Sequence, residues 1–171
     1  EYTLDTPKDQ LIEQLHDALY CAKICAYTQG YQLMQMAAQE QGWALDLSAI
    51  SRIWRAGCII RAAFLQPISS AFQQNPDLPS LLMDPLFSEQ LAKHQHNWRA
   101  IVAQSAQAGV PAGAISSALS YYDSFRTEVL PANLLQGQRD YFGAHTFERT
   151  DRDDGKYHVR WGESGRPMEK V

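Results

Sequence analysis

The sequence predicts an all-α chain with a short extended or hairpin-like tail, and three observations carry that prediction. Apolar and small residues recur at helical spacing along most of the chain, as in Leu11, Leu15, Ala18, Leu19, Ala22, Cys25 and Ala26. No strand-like alternation appears before His145. Proline-bearing breaks such as Asn75-Pro76-Asp77-Leu78-Pro79 and Gly109-Val110-Pro111 fall between the periodic stretches.

Taken in order, the first element opens at a start signal: Thr6 as cap, Pro7 at the first helical position and Asp9 at the third. Its pattern runs through Leu33, Met36 and Ala37 to Gly42. That predicts a helix of about 35 residues, roughly 50 Å long at the helical rise. Such a helix suits the spine of a domain or a subunit interface. Asp46 is placed to cap a short second helix over 47–55, which Gly57 interrupts. A third helix is expected over about 58–73, with Ile60, Phe64, Ile68 and Phe72 on one stripe and a kink at Pro67. Leu81-Leu82-Met83-Asp84-Pro85 reads as a tight connector. A helix over about 85–108 follows, with Leu91, Trp98, Ile101 and Val102 on its apolar face. Another spans 112–129, and Pro131 opens the one that carries Arg139. The tail alternates loosely at 147–150 and 156–161 around Asp151-Arg152-Asp153-Asp154-Gly155, as a hairpin or an arm whose aromatic residues need another surface to bury them. Residues 162–171 are polar and are expected to be mobile. The expected division is therefore a helical part over 1–146 and an arm over 147–171.

Composition narrows the function classes. A chain of 171 residues with 45% hydrophobic and 20% charged residues suits a soluble globular domain. A net charge of −4 speaks against nucleic acid as a partner. No apolar run approaches the length of a bilayer span, and Glu1-Tyr2-Thr3-Leu4-Asp5 has neither the basic region nor the apolar core of a signal peptide. Cys21 and Cys25 lie one helical turn apart among alanines and read as close packing, and Cys58 reads the same way. Free thiols fit a reducing cytoplasm. There is no Gly-x-Gly-x-x-Gly turn and no P-loop, so no dinucleotide-binding Rossmann fold is expected in this chain.

Few residues invite chemistry. His94 and His96 point to different sides of one helix, and His16, His145 and His158 are scattered, so a zinc site is not expected. Tyr121-Tyr122-Asp123, in a helix, reads as packing and hydrogen bonding, and Arg55 and Arg61 as structural charges. Arg126 beside Glu128 reads as a helix-end pairing. Arg139 and His145 stand on either side of Gly143. If that glycine adopts positive φ, the chain turns sharply and a guanidinium fork and an imidazole converge on one phosphate or carboxylate. On spacing alone the commoner reading is a surface arginine and a histidine that merely closes the helix end.

Longer stretches of sequence shift that balance. Ala18-Leu19-Tyr20-Cys21-Ala22-Lys23-Ile24, Ile53-Trp54-Arg55-Ala56-Gly57-Cys58-Ile59-Ile60-Arg61, Tyr121-Tyr122-Asp123-Ser124-Phe125-Arg126, Val129-Leu130-Pro131-Ala132-Asn133 and Arg139-Asp140-Tyr141-Phe142-Gly143-Ala144-His145 occur in this order. Together they resemble the C-terminal region of the decarboxylating 6-phosphogluconate dehydrogenases, over roughly residues 10–161. The resemblance implies that Arg139 and His145 bind substrate phosphate and reach into the active site of a homodimer partner. It implies a parent enzyme that uses NADP to convert 6-phospho-D-gluconate to ribulose 5-phosphate and carbon dioxide in the cytoplasm, within the pentose phosphate pathway. It places the coenzyme domain and the catalytic lysine and glutamate N-terminal to this region, so Lys23 and Glu13 take neither role. The chain would then be a portion of that enzyme, inactive alone, with residues 1–146 serving dimerisation and substrate binding. Two alternatives stand beside it: a non-catalytic helical oligomerisation or binding module, and another 3-hydroxyacid dehydrogenase relative, against which the run from Arg139 to His145 argues.

Overall fold

The computed structural model describes residues 6–55, 57–152 and 154–171. The readings placed on residues 1–5, on Ala56 and on Asp153 lie outside the described residues. Contacts divide the chain into two compact units, one running to Asp123 and the other Ser124–Val171. Among the described residues no helix is long and apolar enough to cross a membrane.

The first unit is helical. α1 (Lys8–Gln41) is the long spine, and it ends at Gly42, whose φ of 69° closes the helix in the left-handed conformation that glycine adopts most easily. Its start differs from expectation. Pro7 lies outside the helix with ψ 144°, no side chain caps the first turn, and the Pro7 carbonyl accepts the Leu11 N–H. The interior seam also differs. Ala18, Cys21, Ala22, Cys25 and Thr28 are buried, whereas Leu15, Leu19, Leu33 and Met36 are exposed. Small residues let α1 approach α4 (Pro85–Gln107), its main packing partner. Leu15, partly exposed, borders a groove shared with Ile101 and Ser105 of α4, while Leu19, Leu33 and Met36 stay at the surface.

Local capping chemistry explains most remaining boundaries. Asp46 Oδ1 accepts the Ala49 N–H at 2.9 Å and starts α2 (Leu47–Ile53). Asp84 Oδ1 accepts the Leu86 N–H at 3.1 Å and starts α4, with Pro85 in its first turn. Before it, Leu81–Met83 form a single 3-10 turn. The expected third helix is corrected. α3 is Leu65–Gln74, and residues 57–64 are turns. Pro67 is the reason. Its missing N–H is harmless in the first turn of a helix, where donors have no intrahelical partner, but would break a helix interior. The helix begins just upstream of the proline instead of kinking around it. α5 (Gly113–Phe125) stops short of the expected Val129.

The core of this unit gathers Ile24, Tyr31, Leu65, Ile68, Leu81, Phe87, Leu91 and Trp98 around α1 and α4. Cys21 and Cys25 lie within it, and burial pushes both thiols up to about 12. In the folded chain both are expected to resist alkylation at about pH 8, where an ordinary accessible thiol reacts. Intact mass after iodoacetamide treatment checks this; rapid double labelling of the folded protein at Cys21 and Cys25 would contradict the packing.

The second unit holds α6 (Ala132–Gly143) and a three-stranded antiparallel sheet in the order β1 (Phe147–Glu148), β2 (Lys156–Val159), β3 (Met168–Lys170). Residues 162–171 are thus structured: Val159 pairs with Met168, and the Arg160 guanidinium donates to Glu169 at 2.9 Å. Tyr157 and Val159 are buried within this unit, on the strand that packs against α6, so the tail covers part of its apolar surface without a second chain.

Candidate functional site

The chemistry-bearing side chains of the second unit collect where α6 meets the sheet. α6 is built inside out. Leu134, Leu135, Tyr141 and Phe142 are exposed, and its one buried residue is Asp140, fully enclosed. A buried carboxylate is tolerable only if its oxygens are fully hydrogen-bonded. Here Oδ1 accepts the Thr146 N–H at 3.0 Å and His158 Nδ1 at 2.8 Å. Oδ2 accepts the Val159 N–H at 3.0 Å and the Trp161 indole N–H at 2.9 Å. Burial pushes the carboxyl up, but these four donors outweigh it and hold Asp140 at about 2.

Just beyond the helix the backbone turns through Ala144 at φ 50° and Thr146 at φ 61°. Gly143 does not supply the positive φ expected of it; it is the last helical residue. Its lack of a side chain serves another purpose. A Cβ at Gly143 would stand 2.7 Å from both Cδ2 and Nε2 of His145. The imidazole therefore lies directly on the glycine. Arg139 is one turn upstream on the same face of α6, exposed, with Nη1 donating to Gln136 Oε1 at 3.3 Å. Gln136 in turn donates to the Thr146 carbonyl at 2.6 Å. A groove of about 310 Å³ beside it is lined by Gln136, His145, Thr146, Phe147, Glu148 and Lys156. Arg139 and Gly143, on which the His145 ring sits, share one face of α6, the Arg139 and His145 side chains are exposed, and Lys156 lines the groove beside His145.

This geometry predicts the outcome of Gly143→Ala. Helix propensity favours alanine by up to about 1 kcal/mol, while the exposed His145 ring must swing away from the new methyl. Thermal stability is expected to stay nearly unchanged while anion binding at this face weakens by about tenfold, or ~1.4 kcal/mol. A melting curve and a phosphate titration on the same variant check both halves.

Several other candidates find structural partners. His94 Nδ1 lies 2.9 Å from Asp17 Oδ2, and Asn97 donates to the same oxygen at 2.8 Å. Burial raises the Asp17 carboxyl, and hydrogen bonds from His94, Asn97 and His16 bring it below its ordinary value. Lys23 Nζ sits over the Phe64 ring at 5.6 Å. Tyr121 donates to Gln32 at 2.5 Å, and Arg99 holds Asp123. The Arg55 guanidinium donates to Gln66. Sequence reasoning missed Asp140, Gln136 and Asp17. The only available signal was a carboxylate or amide at a helix position facing inward.

The chain is similar to several known proteins. Residues 2–161 match the family model described as 6-phosphogluconate dehydrogenase, C-terminal domain. The chain is 50% identical over 159 residues to a decarboxylating 6-phosphogluconate dehydrogenase of Treponema pallidum, covering 92% of the chain and 33% of that protein. It is 50% identical over 161 residues to one of Schizosaccharomyces pombe, covering 90% of the chain and 33% of that protein. The fold resembles the 6-phosphogluconate dehydrogenase of Plasmodium falciparum, solved in its apo form, with its cofactor NADP+ and with its substrate 6-phosphogluconate. The TM-score is 0.85 at 41% identity, covering 94% of this chain and 34% of that one. The chain spans about a third of the length of these relatives.

Proposed function

The chain belongs to the 6-phosphogluconate dehydrogenase C-terminal-domain family, and from that premise we propose that it supplies the substrate-phosphate contacts of a cytoplasmic, NADP-dependent oxidative decarboxylase acting on 6-phospho-D-gluconate. The observation that carries the proposal is the seating of His145 on Gly143, on the same face of α6 as Arg139. A guanidinium and an imidazole on one open face suit a phosphate monoester, which offers three acceptor oxygens. Product would be ribulose 5-phosphate and carbon dioxide, within the oxidative pentose phosphate pathway.

NADP does not fit the residues present. Among the described residues the sheet is antiparallel and no glycine-rich strand-to-helix turn cradles a pyrophosphate. The family resemblance assigns the coenzyme and the catalytic lysine and glutamate to a separate coenzyme-binding part of the parent enzyme, and this chain alone is expected to be inactive. The exposed Leu15, Leu19, Leu33 and Met36 of α1, and Leu134, Leu135 and Phe142 of α6, support a homodimer in which residues 1–146 form the interface and residues 147–171 an arm toward the partner. Exposed apolar side chains of this size are what an obligate interface would cover.

Arg139→Ala in the enzyme assembled with its coenzyme domain is expected to weaken 6-phosphogluconate binding by about 2–3 kcal/mol, roughly 30- to 150-fold. A titration with unchanged affinity would remove the assignment. NADP reduction by the isolated chain, with and without a supplied coenzyme domain, separates an enzyme portion from a non-catalytic oligomerisation module.

A further inference from the structure

The backbone that presents His145 holds two non-glycine residues, Ala144 and Thr146, in the left-handed region. L side chains rarely adopt that conformation, and it persists only where neighbours over-determine it. Two neighbours do so here. Gln136 Nε2 donates to the Thr146 carbonyl at 2.6 Å, and Asp140 Oδ1 accepts the Thr146 N–H at 3.0 Å. Gln136 and Asp140 stand one turn apart on α6, so both polar groups of the residue after His145 are fastened to one helix. The other carboxylate oxygen of Asp140 binds the Val159 N–H and the Trp161 indole, both in the tail.

We propose that Asp140 is a positioning residue for the anion site, fastening the turn at Thr146 to α6 so that the His145 imidazole is held on Gly143 and aligned with the Arg139 face of α6. The proposal rests on the reading of Arg139 and His145 as phosphate contacts and adds the residue that sets their geometry. Asp140 touches no anion itself. Each of its oxygens already takes two donors, which fills the acceptor capacity of a carboxylate. It acts through Thr146, and its negative charge is turned inward, away from the groove.

The test uses the chain itself, inorganic phosphate as the probe, and NMR as the readout. In the unsubstituted chain the Thr146 amide is expected to be protected from exchange as the Val159 amide is, the His145 ring to show contacts with the Gly143 α protons, and phosphate to shift the ring resonances. In Asp140→Asn one oxygen becomes an NH₂ donor, so one donor pair loses its acceptor. The phosphate midpoint is expected to rise at least ~5-fold, with the ring contacts to Gly143 weakened. Trp161→Phe removes a donor from the tail side without touching Thr146 and is expected to leave the midpoint within ~2-fold. An unchanged midpoint in Asp140→Asn overturns the positioning role and leaves the phosphate assignment standing, as does an equal loss in Trp161→Phe, which would mark general loosening. Phosphate that fails to shift His145 in the unsubstituted chain removes the phosphate assignment and this role with it. Should Asp140→Asn fail to fold, exchange of the Thr146 amide in the unsubstituted chain decides: protection supports the role, and a coil-like rate overturns it.

Discussion

Asp140→Ala is expected to destabilise the unit Ser124–Val171 by about 3–5 kcal/mol, the cost of removing one member of a buried charged network. The substitution leaves four donors without an acceptor: the Thr146 and Val159 N–H groups, the Trp161 indole and His158. That loss approaches the whole stability margin of a small domain. Urea unfolding followed by resonances of the sheet checks the size. A change below about 1 kcal/mol, typical of surface sites, would contradict the buried network. The same carboxylate makes this unit acid-sensitive. Its folded value of about 2 lies below the ordinary 3.8, so the folded state binds the proton less tightly than the unfolded chain does. The stabilisation is fully present above the ordinary value and is lost as pH falls from about 4 to about 2, amounting to about 2 kcal/mol. Deletion costs more than protonation because a protonated carboxyl still accepts some of its donors, whereas alanine accepts none.

The contrast between Asp140 and Arg139 shows what the sequence could and could not disclose. Arg139 and His145 can be singled out from sequence because the motif that carries them is continuous and their proposed chemistry needs no distant partner. Asp140 lies inside that motif and gave no sign of its role. Its donors come from Thr146, His158, Val159 and Trp161, and only the folded tail brings them to one point. Gly143 serves a purpose other than the one its position suggests. Its sequence position suggested backbone freedom, while the fold uses its missing side chain to seat an imidazole. Asp17 and His94 show the same limit in the first unit, because the two meet only when α1 packs on α4.

Helix starts fixed by local chemistry were readable. Asp46 and Asp84 each accept a hydrogen bond from an N–H two or three residues on, so the cap and its target are neighbours in sequence. The seam of α1 was harder. Periodicity cannot choose between the alanine-cysteine stripe and the leucine stripe, because both repeat with the helical period. The choice is made by how closely α4 must approach, and small residues win that side.

α4 also carries the second large effect. Trp98→Ala is expected to cost about 3–5 kcal/mol in the unit that runs to Asp123, since a fully buried aromatic leaves both lost transfer energy and a cavity. Trp98 has no exposed surface, its ring lies 5.9 Å from that of Tyr122, and its indole N–H donates to the Ile115 carbonyl at 3.1 Å. It therefore joins α4 to α5 by packing and by a directional bond at once. Trp98→Phe separates the two: it keeps most of the apolar volume and drops the donor, and is expected to cost about 1–2 kcal/mol. Combining Trp98→Ala with Tyr122→Ala should cost less than the sum of the single changes, because the two rings share one contact. Calorimetry on the unsubstituted chain and the four variants checks the set. Additive losses would mean that the rings do not support each other, and a Trp98→Phe loss equal to that of alanine would shift the weight from packing to the hydrogen bond that fastens the first turn of α5.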